Sequence, residues 1–143
     1  MSNSVAFNSI NDLIVRKSPV PETLSAITSQ MISHGDVALA RIWLVKRGDI
    51  CETCTMRPEC PSQERCLHLT ASEGRDLKGE ISWESLDGRF ARFPIGVRKI
   101  GHVAARGEAI HLDDLLTTRS SWIADPEWIQ AEKINGVAAH PLK

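Results

Sequence analysis

The first sustained apolar pattern in the chain has the period of a helix. Leu24, Ile27 and Met31 recur every three or four residues, after an entry at Ser18 that carries early prolines and before a glycine. Serine and proline favour the start of a helix, and glycine favours its end. The spacing predicts a first helix within residues 18–35, with the three apolar side chains in the core.

Two predicted strands follow, and a loop separates them. Residues 37–45 are apolar except for Arg41, which is typical of a buried central strand. Residues 67–72 alternate between apolar and polar side chains, which predicts a half-buried strand with His68 on its exposed face. The segment between them has prolines and no period, so we expect a long loop there. Residues 1–17 show no sustained period and are left unassigned.

The second half of the chain alternates short strands with helices. Residues 73–89 are polar and predict a loop that contains Gly74. The predicted elements after it are an extended segment at 93–95, a helix at 97–106 that contains Gly101, a strand at 109–112, a helix at about 126–134 capped by Asp125, and a strand at 137–142. This order of elements predicts an α+β fold.

Composition and charge narrow the classes of function. The chain has 143 residues, of which 42% are hydrophobic and 24% are charged, as is usual for one globular domain. A formal net charge of −1 gives no basic footprint for nucleic acid or anionic lipid. The sequence has neither a signal-peptide pattern nor an apolar stretch of bilayer length. We therefore expect a cytoplasmic protein that binds neither nucleic acid nor membrane directly.

Four cysteines, Cys51, Cys54, Cys60 and Cys66, fall within one short segment. In a reducing compartment such a cluster favours metal ligation over disulfides. A Cys-x-x-Cys pair places two sulfurs on one turn, and thiolates suit zinc or iron–sulfur chemistry rather than magnesium or calcium. We predict that all four are metal ligands in a cysteine loop at residues 49–66. A disulfide or redox switch and inert cysteines are the alternatives.

The spacing leaves the identity of the metal open. Structural zinc usually takes two close cysteine pairs, whereas this loop has one pair and two single cysteines, which also suits an iron–sulfur cluster. His68 could replace one cysteine ligand, although the strand alternation favours an ordinary exposed histidine at that position.

The remaining candidate chemistry is dispersed. The other four histidines cannot be paired with a nucleophile from their spacing, so we interpret them as ordinary histidines: His34, His102, His111 and His140. Asp113 and Asp114 are adjacent, which predicts a turn rather than paired carboxylates. The four tryptophans, at positions 43, 83, 122 and 128, are expected mostly in the core. No catalytic residue is predicted, and we expect that the protein is not an enzyme.

The order of short motifs from residue 93 onward resembles the GAF domain. Phe-Pro-Ile-Gly at 93–96, Gly-His-Val-Ala at 101–104 and Gly-Glu-Ala-Ile at 107–110 follow one another as in that family. Residues 132–142 look like the GAF segment that leads from a helix through a glycine into a strand ending in Pro-Leu. The cysteine run resembles a subgroup fused to bacterial histidine kinases and enhancer-dependent transcriptional activators.

The resemblance implies a central antiparallel sheet flanked by helices, with a pocket for a small ligand. It assigns residues 18–143 to one GAF-like sensory domain that carries the cysteine loop and leaves 1–17 outside. The last strands and helix of the family do not follow residue 142, so the domain is expected to be C-terminally incomplete. An unpaired edge on the first predicted strand would then favour a homodimer.

The cysteines and the resemblance together imply a regulatory sensory domain in bacterial signal transduction. The loop would hold an iron–sulfur cluster or zinc, and the sensor resemblance favours the cluster. The output partner would be a kinase or a transcription-activator domain. Two alternatives stay open: an enzyme like the free methionine sulfoxide reductases of the GAF fold, and a dimerisation domain stabilised by structural zinc.

Overall fold

The computed structural model describes residues 2–33, 36–117 and 125–143, with side chains from residue 9 onward. The elements are α1 (Ser2–Val15), α2 (Val20–Ser33), β1 (Leu39–Arg47), a 3₁₀ turn (Arg57–Glu59), β2 (Arg65–Gly74), β3 (Arg92–Pro94), α3 (Arg98–Arg106), β4 (Ile110–Leu112), α4 (Pro126–Ala131) and β5 (Val137–Ala139). This mixture of helix and sheet is compatible with the predicted α+β class. No helix in the described ranges is both long and apolar enough to cross a membrane.

The described strands form two small sheets. The first has the order β1-β2-β3, and the second pairs β4 with β5. β2 and β3 run antiparallel with Cys66 opposite Pro94. The predicted central position of the first strand was wrong, because β2 is the middle strand and β1 lies at an edge of this sheet. β2 is also the more buried of the two, on both of its faces.

The chain divides into two compact units, and the division falls within β1 and β2. The first unit comprises Met1–Leu44 and Leu69–Gly88, and the second comprises Val45–His68 and Arg89–Lys143. Each unit has buried apolar side chains of its own. Those of the first are Leu24, Ala40, Leu69 and Ala71, and those of the second are Met56, Cys66, Leu67, Ala91, Phe93, Val103, Leu115 and Ile129.

The first unit begins with a pair of helices, α1 and α2, that contact each other. The segment left unassigned from the sequence forms α1, which is followed by a turn at Lys17 with a φ of 54°. There the backbone N–H of Ser18 donates to the carbonyl of Leu13 at 3.0 Å. The signal in the sequence was weak because its apolar residues, which include the exposed Ile14 and Val15, do not mark a single buried face.

Helix α2 buries a shorter stripe than the sequence predicts. Leu24 and Thr28 are buried, whereas Met31 is 47% exposed, so its expected place in the core was wrong. Thr28 tolerates complete burial because its hydroxyl donates to the carbonyl of Ser25 at 2.9 Å. A buried polar group costs little once its hydrogen bond is made, which periodicity alone does not reveal.

Gly74 is the last residue of β2 and is not part of the polar loop expected from the sequence. Its φ is 155°, and a Cβ at this position would collide with the carbonyl oxygen of Ala38. The following loop returns so that the backbone N–H of Trp83 donates to the carbonyl of Gly74 at 2.9 Å. The Ser72 hydroxyl also donates to the Trp83 carbonyl and accepts from the Arg41 guanidinium.

In the second unit the predicted helix is confirmed as α3, which contacts β3. The helix ends at Gly107, whose φ of 67° is the left-handed stop that glycine provides. Gly101 lies inside the helix and is buried, and a Cβ there would collide with the carbonyl oxygen of Pro94. The glycine is therefore required by the close approach of helix and strand.

The shorter elements near the C-terminus also follow the prediction. The Asp125 carboxylate accepts from the backbone N–H of Trp128 at 3.0 Å and so caps α4 as expected. Asp114 has a φ of 57° and its carbonyl accepts from the N–H of Thr117, which confirms a turn at the aspartate pair. The tryptophans at 43, 83 and 128 are half-buried rather than core residues. The predictions for His34 and for the tryptophan at 122 fall outside the described residues.

Gly101→Ala and Gly74→Ala should each lower the free energy of unfolding by about 1–3 kcal/mol, the usual cost of overpacking. For Gly101 the clash with Pro94 has to outweigh a gain of about 1 kcal/mol in helix propensity. Gly136→Ala is the control, because the atom nearest its Cβ would be the Leu112 carbonyl oxygen at 3.4 Å. Thermal unfolding of all three variants measures the difference, and equal stability of Gly101→Ala and wild type would contradict the close approach.

Candidate functional site

The segment between β1 and β2, residues 48–64, is irregular apart from one 3₁₀ turn, and the predicted cysteine loop at 49–66 extends two residues further, into β2. Successive turns compact it, since Thr53 N–H donates to the Ile50 carbonyl at 3.0 Å and Arg57 N–H donates to the Cys54 carbonyl at 3.1 Å. The 3₁₀ turn at Arg57–Glu59 follows, with a proline in its first positions, and it ends at Cys60. Cys54 therefore begins the first of two consecutive turns, and Cys60 ends the second.

All four cysteines line one small pocket of the second unit, which we call the cysteine pocket. Phe93 and Pro94 of β3 and the side chains of Arg57 and Arg92 complete much of its wall. The free space is about 20 Å³, which is room for about one water molecule. The turns of the loop and the pairing of β2 with β3 thus bring together the residues that the sequence predicts as ligands.

The four thiols are free, and they differ in burial. Cys66 belongs to β2 and is buried, whereas the three cysteines of the loop are half-buried. Burial raises the pKa of the Cys66 thiol, and the nearby Arg92 guanidinium partly opposes this effect. Across residues 2–33, 36–117 and 125–143, no three Cys, His, Asp or Glu side chains are arranged so that they could hold a metal ion. The cysteines share a pocket without forming a coordination shell in it.

Gly48 makes room for the first cysteine. A Cβ on Gly48 would lie 2.6 Å from the Sγ of Cys51 and 3.1 Å from the carbonyl oxygen of Gln63. The same carbonyl accepts a hydrogen bond from the Cys51 thiol at 3.4 Å. The position of the Cys51 sulfur therefore depends on the absence of a side chain at Gly48.

An ion pair fixes the start of the loop to β3. Arg92 donates from Nε to Oδ1 of Asp49 at 2.8 Å and from Nη2 to Oδ2 at 2.7 Å. The hydrogen bond from Arg92 lowers the pKa of the Asp49 carboxyl to about 2, from an ordinary 3.8. The same bond raises the pKa of Arg92. Two parallel N–H···O bonds make this a geometrically specific contact.

His68 is buried, so its predicted exposure was wrong. Its Nε2 lies 2.9 Å from the carbonyl oxygen of Arg47, and since a carbonyl only accepts, Nε2 carries the proton. Burial lowers the pKa of the ring, and the charge of Arg92 adds to this effect. The 3.9 Å approach to Asp49 acts in the opposite direction. Burial has the largest effect on this pKa, so we assign a neutral ring. Its Nε2 donates to the Arg47 carbonyl and is not available as a metal ligand.

The middle of the loop is held by a second ion pair and an apolar anchor. Arg98 donates to both carboxylate oxygens of Glu59, at 3.2 and 2.9 Å, from a backbone with a φ of 53°. Met56 is only 2% exposed, which makes it one of the most deeply buried side chains. Met56 thus gives this irregular loop an apolar anchor, and a methionine among polar residues was the signal for it in the sequence.

Arg57 is the remaining cation of the pocket wall. It donates from Nη1 to the carbonyl of Cys51 at 2.8 Å, and no ion pair involves it within the described part of the chain. Arg92 shares its charge with Asp49, whereas the charge of Arg57 is not offset by a carboxylate there. The pocket therefore presents a net positive side to any negatively charged centre.

Elsewhere in the second unit, two histidines that the sequence left apart are in contact. The Nε2 atoms of His111 and His140 are 2.8 Å apart, and both side chains are exposed. The rings meet edge to face, with their centroids 4.7 Å apart. The two predicted strands that carry them could have suggested this pair only if their register had been known.

Comparison with known proteins gave no relative: no protein-family model matches the chain, and no curated protein and no solved structure matches it. The resemblance to the GAF domain thus rests on the order of motifs in residues 93–142.

Asp49→Asn should remove part of the acid sensitivity of the fold. A lowered folded-state pKa means that the ion pair stabilises the protein fully above about pH 3.8, and that this contribution is lost as the pH falls through about 2. Thermal unfolding between pH 2 and 7 should show a shallower acid decline in the variant than in wild type. Asp12→Asn, which removes an exposed ion pair between Asp12 and Arg16, is the control. Parallel curves for Asp49→Asn and wild type would contradict this role.

Proposed function

We propose that this chain is a regulatory sensory domain of bacterial signal transduction, in which Cys51, Cys54, Cys60 and Cys66 hold a metal centre. The convergence of all four cysteines on one pocket carries the proposal. Four soft sulfur donors suit zinc or an iron–sulfur cluster. The order of GAF-like motifs supports a sensory role, with a homodimer and a kinase or transcription-activator output domain as partners.

The charges around the pocket support a thiolate centre. Four thiolates around Zn²⁺, or around a four-iron cluster in its usual oxidised state, carry about two net negative charges. Arg57 lines the pocket without a carboxylate partner among the described residues and would offset part of that charge, whereas Arg92 is already paired with Asp49. The thiols must lose their protons when the metal binds, and the raised pKa of buried Cys66 opposes that loss. The Arg92 guanidinium favours the deprotonated state of Cys66.

Zinc and an iron–sulfur cluster make different demands on the pocket. Zn–S bonds are about 2.3 Å long, so one ion needs little more room than one water molecule. Binding of either group would require the sulfurs to move, because the described side chains form no coordination shell as they stand. Zinc would supply a cross-link between loop and strand, and a cluster would supply redox sensitivity.

Protein purified without oxygen should contain about one zinc per chain, or several irons if a cluster forms. Cys54→Ser and Cys60→Ser should lose the metal, because a hydroxyl is a poor replacement for a thiolate. Ser62→Ala lies in the same loop, removes no sulfur and should retain it. Metal analysis and absorption spectra measure the content, and circular dichroism should be unchanged because other contacts hold the loop.

Three results would each favour a different function over the proposed one. Metal-free wild type with four freely reactive thiols would leave only a ligand-binding or interaction domain. Turnover of free methionine sulfoxide that depends on a loop cysteine would support the enzymatic alternative. A colourless zinc protein that unfolds in chelator would support a purely structural role for the metal.

Gly48→Ala should weaken metal binding although it removes no ligand. The added methyl group would displace the Cys51 sulfur, and loss of such a supporting feature typically costs about ten- to a hundredfold in affinity. Competition with a chromophoric chelator measures the affinity, and Gly136→Ala is a control remote from the loop in sequence. Unchanged affinity in Gly48→Ala would show that Cys51 is not a ligand in the position described.

A further inference from the structure

The β4–β5 sheet brings His111 and His140 to one face. His111 lies opposite Ala138 in the antiparallel register. Residues that face each other across a sheet point to the same side, and so do residues two apart on one strand. His140, two residues after Ala138, therefore joins His111 on that side, and the structure places their Nε2 atoms 2.8 Å apart.

This separation is close to that of two ligands on one metal ion. With metal–nitrogen bonds of about 2.0–2.1 Å, two ligands at a right angle lie about 2.9 Å apart, and two at a tetrahedral angle about 3.3 Å apart. The observed 2.8 Å needs almost no opening for right-angle coordination. Tetragonal geometry with nitrogen and oxygen donors is typical of Cu²⁺ and Ni²⁺.

The protons of the pair permit such binding. In the present hydrogen bond one Nε2 donates and the other accepts. The accepting ring carries its proton on Nδ1, so its Nε2 lone pair is available. The donating ring has only to move its proton from Nε2 to Nδ1, which solvent can mediate because both rings are exposed. Two neutral imidazoles can therefore bind one ion without a net loss of protons.

We propose that His111 and His140 form a second metal site, which binds a divalent transition-metal ion, Cu²⁺ or Ni²⁺ ahead of Zn²⁺. No third Cys, His, Asp or Glu joins them among the residues that the structure describes, so water completes the coordination. Imidazole nitrogen suits these ions, and their affinities rise from Ni²⁺ to Cu²⁺. The site has no residue in common with the cysteine pocket and does not depend on its metal.

The test is a titration of the full chain with Ni²⁺, followed by NMR of the histidine ring protons. Paramagnetic Ni²⁺ should broaden the signals of His111 and His140 at a concentration at least about tenfold below that needed for His102. His111→Ala should raise the concentration needed to broaden His140 by about tenfold or more, because one of two ligands is gone. His102→Ala is the control and should leave the pair unchanged.

Equal broadening of all histidines in wild type would overturn the proposal and leave the pair as a hydrogen bond only. The same conclusion follows if His111→Ala and His102→Ala give the same titration curve for His140. The comparison within wild type does not depend on any variant being folded, and circular dichroism checks the variants. Cys54→Ser should leave this titration unchanged, so failure of the cysteine centre and failure of the histidine site are distinguishable.

Discussion

The cysteine pocket depends above all on the attachment of an irregular loop to β3. The antiparallel register of β2 and β3 sets Cys66 opposite Pro94, and two residues before that proline Arg92 reaches back to Asp49 at the start of the loop. β3 thus supplies both lining residues of the pocket and the cation that binds Asp49 at the start of the loop. Because the ion pair is bidentate, it restricts direction as well as distance. The other three cysteines take their places from turns that begin at this fixed point.

The electrostatics of the second unit follow from the same arrangement. Asp49 satisfies Arg92 and also lies near the buried His68, yet burial keeps that ring neutral. Arg57 is left as the positive group of the wall without a carboxylate partner in the described ranges. Four neutral thiols need no such charge, whereas a thiolate centre does.

Elements that end in glycine or begin with a capping residue could be predicted from the sequence, and α3 with Gly107 and α4 with Asp125 are the clearest cases. The errors about burial have one physical source, which is that burial follows tertiary contacts. His68 is buried because a carbonyl satisfies its ring, and Met31 is exposed although its spacing is helical. The cysteine cluster was visible in the spacing, but the ion pair that positions it joins residues 43 apart in sequence. Local patterns carry no information about such partners.

The burial of Met56 has a consequence for how a signal could leave the pocket. This side chain and the pair between Arg98 and Glu59 hold the middle of the loop without any ligand. A centre that comes and goes would then leave the backbone docked, and the quantity that changes would be the local charge, by about two units for a four-thiolate centre. The signal would then be a change in the electrostatic potential at the protein surface. A partner would respond to it through the positions of its own charged groups.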